Sequence, residues 1–204
     1  QTYSSDWTYP PSINYANLDN KIPIDLANMG IIKNNFALFV HPSLKYYKKI
    51  LPTESLIHVQ NRFVDLSTYS TALGDIMGHN LKVIRVGIEV DELPPAFDEL
   101  PIIDYTGIIR NEESELWLYE NCKFLVSVAS GAYWFARRFD KPTIITNSYM
   151  LPFGYFSTLY TPMTIRNTES RTLLSLSEMN KLRTIPNFLS DQFMKERHLE
   201  LVPN

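Results

Sequence analysis

Between Phe124 and Asn147 the chain reads Phe-Leu-Val-Ser-Val, a turn at Ser130-Gly131, a short helix apolar on nearly every side, and a second apolar run ending at Asn147. Two short apolar runs flanking a helix describe strands buried on both faces and joined by a crossover, the unit of parallel sheets. Such crossovers are right-handed almost without exception, so this stretch constrains both the fold class and the hand of its connection. A helix that starts at a small-residue turn also leaves its first N–H groups unpaired and its positive dipole end exposed, which suits a phosphate. Gly131 has no Cβ, so a ligand could approach the main chain there closely. The plainer alternative is that Ser130 caps the helix and Gly131 merely allows the turn.

Other segments repeat the pattern. Asn35–Val40 is an apolar run stopped by His41-Pro42, Lys82–Gly87 reads as a second strand and Ile102–Gly107 as a third. Ile22–Gly30 reads as a short helix closed by glycine. Asp65 can cap a helix in which Leu66, Tyr69, Leu73, Ile76 and Met77 recur at helical spacing until Gly78. Asn111 can cap another, whose first-turn Glu112, Glu113 and Glu115 favour the helix dipole and need no catalytic role. Residues 43–63 read as a long connection, residues 149–156 as an aromatic loop, and Met163–Arg166 as a short strand. Ser175 and Glu178 fit a capping box, and Asn187–His198 has a helical pattern. Residues 1–21 show no period and read as an irregular arm preceding a single domain over residues 22–204. The predicted fold is α/β, a Rossmann-like and mostly parallel sheet with helices on both faces.

Composition narrows the function. With 45% apolar and 20% charged residues the chain is globular, and a formal charge of −3 offers no general field for nucleic acid. Phosphate chemistry would therefore rest on a few placed cations. The one cysteine, Cys122, reads as a small buried hydrophobe and fits a reducing compartment. No apolar run reaches the roughly 20 residues that span a bilayer. The four histidines and Cys122 lack ligand-like spacing, and no Asp-x-Asp occurs, so no metal is expected. The glycine fingerprints of dinucleotide and P-loop sites and the nucleophile elbow of hydrolases are also missing.

In open α/β sheets, ligands bind outside the carboxyl ends of the strands. Those ends carry His41, Arg85, Asp104, Ser130, Gly131, Ala132 and Asn147. Arg85 lies within an apolar strand, where a charge is costly unless it meets an anion or a partner; Asp104 is the obvious partner. Arg62 is either a second phosphate ligand or a surface arginine. Asn147 could bond a sugar or base, or fix its own loop. His41 and Asp104 are the local candidates for a general base.

Taken together, Asn61–Tyr69, Val83–Gly87, Ile103–Tyr105, Ser127–Gly131 and Lys141–Asn147 resemble a group of bacterial glycosyltransferases. These are built on the nucleotide-sugar-binding half of the two-Rossmann (GT-B) fold and are associated with surface-polysaccharide assembly. The resemblance runs from Ile22 to Arg183 and includes Ser175-x-x-Glu178. It implies that Arg62 and Arg85 face the donor phosphates or sugar, that Ser130 and Gly131 hold the diphosphate, and that Asn147 lines the pocket. It further implies metal-independent transfer, with no cofactor beyond the nucleotide-sugar donor, to a glycan or lipid-linked acceptor. A second Rossmann domain or partner subunit, which often supplies the base, and a cytoplasmic setting, peripheral to the inner membrane face, are implied as well. One departure stands out. The family's first strand tends to end His-Val-Arg-Asp, whereas here it is Phe39-Val-His41-Pro42-Ser43, without the arginine. That difference keeps open a catalytically inactive domain that binds glycans or scaffolds an assembly. A sugar-nucleotide epimerase or hydrolase on the same fold is the third reading.

Overall fold

The computed structural model describes residues 21–41, 43–50, 65–87, 90–106, 111–128, 130–148, 158–182, 184–185 and 190–202. Arg62, Gly107, the 149–156 loop and all but the last residue of the N-terminal arm lie outside the described residues.

Six strands form one sheet: β1 (Phe36–Val40), β2 (Lys82–Arg85), β3 (Ile103–Asp104), β4 (Phe124–Val128), β5 (Thr143–Ser148) and β6 (Thr158–Pro162). Their spatial order is β3-β2-β1-β4-β5-β6, and every neighbouring pair is parallel. The chain is therefore α/β with a Rossmann-like parallel sheet. Its middle strand explains why an apolar run was the right signal: all of Phe36–Val40 is buried, so neither face needs polar residues.

Each face has its own core. Phe36, Leu38 and Val40 pack with Leu26 of α1 (Ile24–Asn28), with Trp117 and Leu118 of α4 (Glu112–Asn121), and with Ala136 of α5 (Ala132–Arg138). On the opposite face, Phe39, Val83 and Val126 meet Leu66 and Tyr69 of a 3₁₀ helix (Leu66–Tyr69), and Leu73 of α3 (Ser70–Gly78). The caps anticipated from sequence form. Asp65 accepts from Ser67 N–H at 2.9 Å and Asn111 from Glu113 N–H at 3.0 Å, and Gly30 closes α1 at φ +65°.

Three expectations need correction, and one strand, β6, was not anticipated. Within the supposed connection, Leu44–Ile50 is a helix, α2, entered through Ser43, whose side chain accepts from Tyr46 N–H at 3.4 Å. Its Lys-Tyr-Tyr-Lys-Lys run lacks an apolar stripe, so no period announced it. The third strand is short because the Asp104 side chain captures Thr106 N–H at 3.0 Å, an Asx turn that competes with the ladder. β6 follows the aromatic loop as an edge strand, where Pro162 is tolerated at its end. The terminal helix, α7, spans only Asp191–Glu196; His198 then turns the chain at φ +53° into β8 (Leu199–Val202), antiparallel to β7 (Thr164–Asn167). This ribbon, α6 (Leu176–Leu182) and α7 enclose a separate small core of Ile165, Met179 and Met194. The expected capping box opens α6: Glu178 accepts from Ser175 N–H at 2.7 Å, and Ser175 Oγ from Glu178 N–H at 3.3 Å.

Candidate functional site

The strand order reverses between β1 and β4, which are hydrogen-bonded neighbours whose onward connections leave toward opposite edges of the sheet. A crevice opens at such a reversal, beyond the carboxyl ends of the two strands. His41 and Ser43 follow β1 there, and Ser130 and Gly131 follow β4.

Gly131 is exposed and lies at φ −58°, ψ −29°, an ordinary helical conformation, and a Cβ added to it would meet nothing within 4 Å. The backbone thus does not require glycine; what glycine leaves is open approach. In the first turn of α5, Tyr133 N–H reaches Ser130 C=O at 3.3 Å and Trp134 N–H reaches Gly131 C=O at 3.0 Å. The N–H groups of Gly131 and Ala132 have no acceptor among the described residues. Ser127 Oγ donates to the Val128 carbonyl at 2.8 Å and lies 3.1 Å from Ser130 Oγ. A hydroxyl has one proton, so Ser130 donates to Ser127 and keeps its lone pairs outward. An anion at this turn would meet main-chain N–H groups rather than the Ser130 proton.

Arg85 takes the structural alternative weighed above. It is 1% exposed, ion-paired to Asp104 at 3.2 Å, and also donates to the Asp91 carbonyl. Burial of a guanidinium demands such partners. Asp104 in turn accepts from Thr106 N–H and hydroxyl, so its carboxylate is occupied by Arg85 and its own turn. Asp91 is gripped a second time, its carboxylate accepting from Ser43 Oγ at 3.2 Å. Arg85, Asp104, Asp91 and Ser43 together tie the ends of β1, β2 and β3 to the 90–94 loop.

His41 is buried, 6.4 Å from the Phe39 ring and edge-on to Tyr69 at 5.7 Å. Asn147 is buried at φ +51°, at a register slip between Thr146 and Ser148, and donates from Nδ2 to the Tyr69 hydroxyl at 3.0 Å. Burial raises the Tyr69 phenol above its usual range, and its hydrogen bonds with Thr146 and Asn147 only partly oppose this, so it stays protonated at neutral pH. Gly131, Ser130 and Ala132 therefore gather at the reversal point, with His41 and Asn147 bordering the strand ends; Arg85 and Asp104 face each other instead.

Sequence reasoning passed over Tyr69, Thr146, Ser43 and Asp91. Tyr69 was read as one member of an apolar stripe; the signal that could have found it is that a phenol in such a stripe carries a hydroxyl needing a partner. A groove of about 630 Å³ lined by Ser70, Gly74, Asp75, Asp98, Glu99 and Leu100 lies elsewhere, and its three carboxylates would repel a diphosphate. Among the described residues no group of three His, Cys, Asp or Glu could hold a metal ion, and no helix is long and apolar enough to cross a membrane.

Comparison with protein-family models and with curated proteins gives no match. Among solved structures the chain is similar to the E. coli heptosyltransferase WaaC with ADP-2-deoxy-2-fluoro heptose, at 14% identity and a TM-score of 0.46, over 88% of this chain and 46% of that one. For the same protein with ADP the identity is 12% and the TM-score 0.44, over 80% of this chain and 44% of that one. The chain spans less than half the length of these structures.

Proposed function

We propose that this chain is the donor-binding half of a metal-independent glycosyltransferase, moving a sugar from a nucleotide diphosphate to a glycan or lipid-linked acceptor. The observation that carries this reading is the pair of main-chain N–H groups, Gly131 and Ala132, open at the point where the strand order reverses. The resemblance of Ser127–Gly131 and Lys141–Asn147 to the nucleotide-sugar half of GT-B enzymes agrees with it. In the reaction the acceptor hydroxyl attacks the anomeric carbon while the bond to the diphosphate oxygen breaks. Negative charge gathers on the leaving group, and N–H groups already aimed there stabilise it without reorganising. A base to take the acceptor proton, and the acceptor site itself, would come from a second domain or partner subunit.

Isothermal titration of UDP-glucose, GDP-mannose, ADP-glucose, dTDP-glucose and CMP-sialic acid tests the reading. At least one of the four nucleoside-diphosphate sugars should bind, CMP-sialic acid serving as the monophosphate control, and at a hundredfold excess over Kd the bound donor should stabilise the fold by about 2.7 kcal/mol. Gly131→Val should abolish that binding while shifting Tm little, because a Cβ at this position meets nothing within 4 Å. No binding of any of the four at millimolar concentration, or normal binding by Gly131→Val, would remove the reading.

A second reading has its own support. Arg85 is spent on Asp104, and the first strand ends without the arginine that the family it resembles tends to carry, so one cation expected at a diphosphate is paired elsewhere and another is missing. A catalytically silent domain would bind glycan and release no nucleotide from any donor, which product analysis distinguishes.

A further inference from the structure

Four polar groups run in a line across the carboxyl end of the sheet. Asn147 Nδ2 donates to the Tyr69 oxygen at 3.0 Å, the Tyr69 and Thr146 hydroxyls lie 2.6 Å apart, and Thr146 Oγ1 donates to the Ser127 carbonyl at 3.4 Å. An amide nitrogen can only donate and a carbonyl can only accept, so the two ends set the sense of the whole line. Tyr69 passes its proton to Thr146, and Thr146 passes its own to Ser127. The line starts on β5, crosses to the 3₁₀ helix on one face of the sheet, returns to β5 and ends on β4. Tyr69 is held by packing as well, 5.2 Å from the Phe39 ring and edge-on to His41. Asn147 sits at φ +51°, a left-handed conformation that asparagine accepts more readily than other residues with a side chain. With both residues buried, water is poorly placed to replace these bonds.

We infer that Tyr69 is a positioning residue for the donor crevice, its hydroxyl fixing the end of β5 against the Ser127–Gly131 turn of β4. The inference rests on the donor reading above, in which that turn faces the diphosphate. Tyr69 touches no ligand in this role. It sets the spacing between the turn and the wall formed by Asn147, and a small error in such spacing costs affinity disproportionately.

Tyr69→Phe keeps the ring and removes only the hydroxyl. In the ligand-free protein, amide hydrogen exchange over residues 143–148 should then quicken about tenfold or more, the consequence of losing the two hydrogen bonds that the hydroxyl makes. Exchange in β1 should not change. Unaltered exchange over 143–148 overturns the inference. For whichever of UDP-glucose, GDP-mannose, ADP-glucose and dTDP-glucose the wild type binds, Kd should rise about tenfold or more in Tyr69→Phe. Thr146→Val should reproduce the effect, and the double variant should be no worse than either single one, since all break the same line. Leu182→Ala, which loosens the separate core of Met179 and Met194, should lower Tm and leave Kd unchanged. If Tyr69→Phe behaves like Leu182→Ala, the hydroxyl is a stabilising tie and the positioning role is refuted. If the wild type binds none of the four donors, the donor reading falls, and the exchange measurement alone decides whether Tyr69 holds β5 to β4.

Discussion

Arg85 shows how far a single residue can be read. A guanidinium inside Val-Ile-Arg-Val had to meet a carboxylate or an anionic ligand, and this dichotomy was legible because burying an isolated charge costs several kcal/mol. Which branch applied was not legible, since it depends on β2 and β3 lying side by side with Arg85 in register with Asp104. Only the arginine of this pair is buried, so removing it leaves an exposed carboxylate rather than a buried charge. Arg85→Ala should lose about 1–3 kcal/mol in urea unfolding, leaving the Asp91 carbonyl without its donor, while Asp104, 39% exposed, is left to water. If instead stability holds and only donor affinity falls, the side chain serves a ligand. Cys122 gives a cleaner case. Burial pushes its thiol up to about 12, so the native protein should resist iodoacetamide at pH 8 and react only as it unfolds. Rapid labelling under native conditions would contradict the packing around it.

Among elements, the small N-terminal helix α1 has a bond network out of proportion to its length. Asp25 accepts from the Tyr105 hydroxyl and from Ser114 Oγ, both at 2.9 Å, joining α1 to the end of β3 and the start of α4. Partial burial pulls the Asp25 carboxyl upward, but the hydroxyls of Ser114 and Tyr105 with main-chain N–H groups outweigh it, leaving it below the ordinary 3.8. A depressed carboxyl stabilises the fold fully above its unfolded value and loses that contribution as pH falls through the folded one. Wild type should therefore exceed Asp25→Asn in urea midpoint at pH 7, with the gap closing below 3.8. A gap independent of pH would mean that the contacts act through shape alone. Caps behave more simply: Asn111→Ala should cost about 1 kcal/mol through the lost bond to Glu113 N–H. Both caps and buried strands could be read locally, because a cap needs one side chain and an inner strand needs only an apolar run. Strand β7 was legible as Met163–Arg166, but helix α2 and strands β6 and β8 escaped because polar or alternating sequences take their structure from neighbours distant in the chain. The hydroxyl line through Tyr69 escaped for the same reason, its members coming from residues 69, 127, 146 and 147.

At the scale of the molecule, the parallel order β3-β2-β1-β4-β5-β6 joins segments that lie far apart along the chain. The separate core of Ile165, Met179 and Met194 is different, since it collects its members from residues 165–201 alone. Limited proteolysis should accordingly distinguish two levels of resistance, with cuts near the ribbon sparing the six-stranded sheet. The sheet's own centre is assembled late. β1 ends at Val40, yet β4, the partner on its other flank, begins only at Phe124. At translation speeds of roughly 5–20 residues per second, the ribosome would take on the order of 5–15 s to supply it. Throughout that interval a sticky ribbon of Phe-Ala-Leu-Phe-Val would have one open side, an invitation to pair with a neighbouring nascent chain. Synthesis of this protein should therefore lean on chaperones that bind nascent chains, and arresting it before Phe124 should yield insoluble material that release to full length rescues.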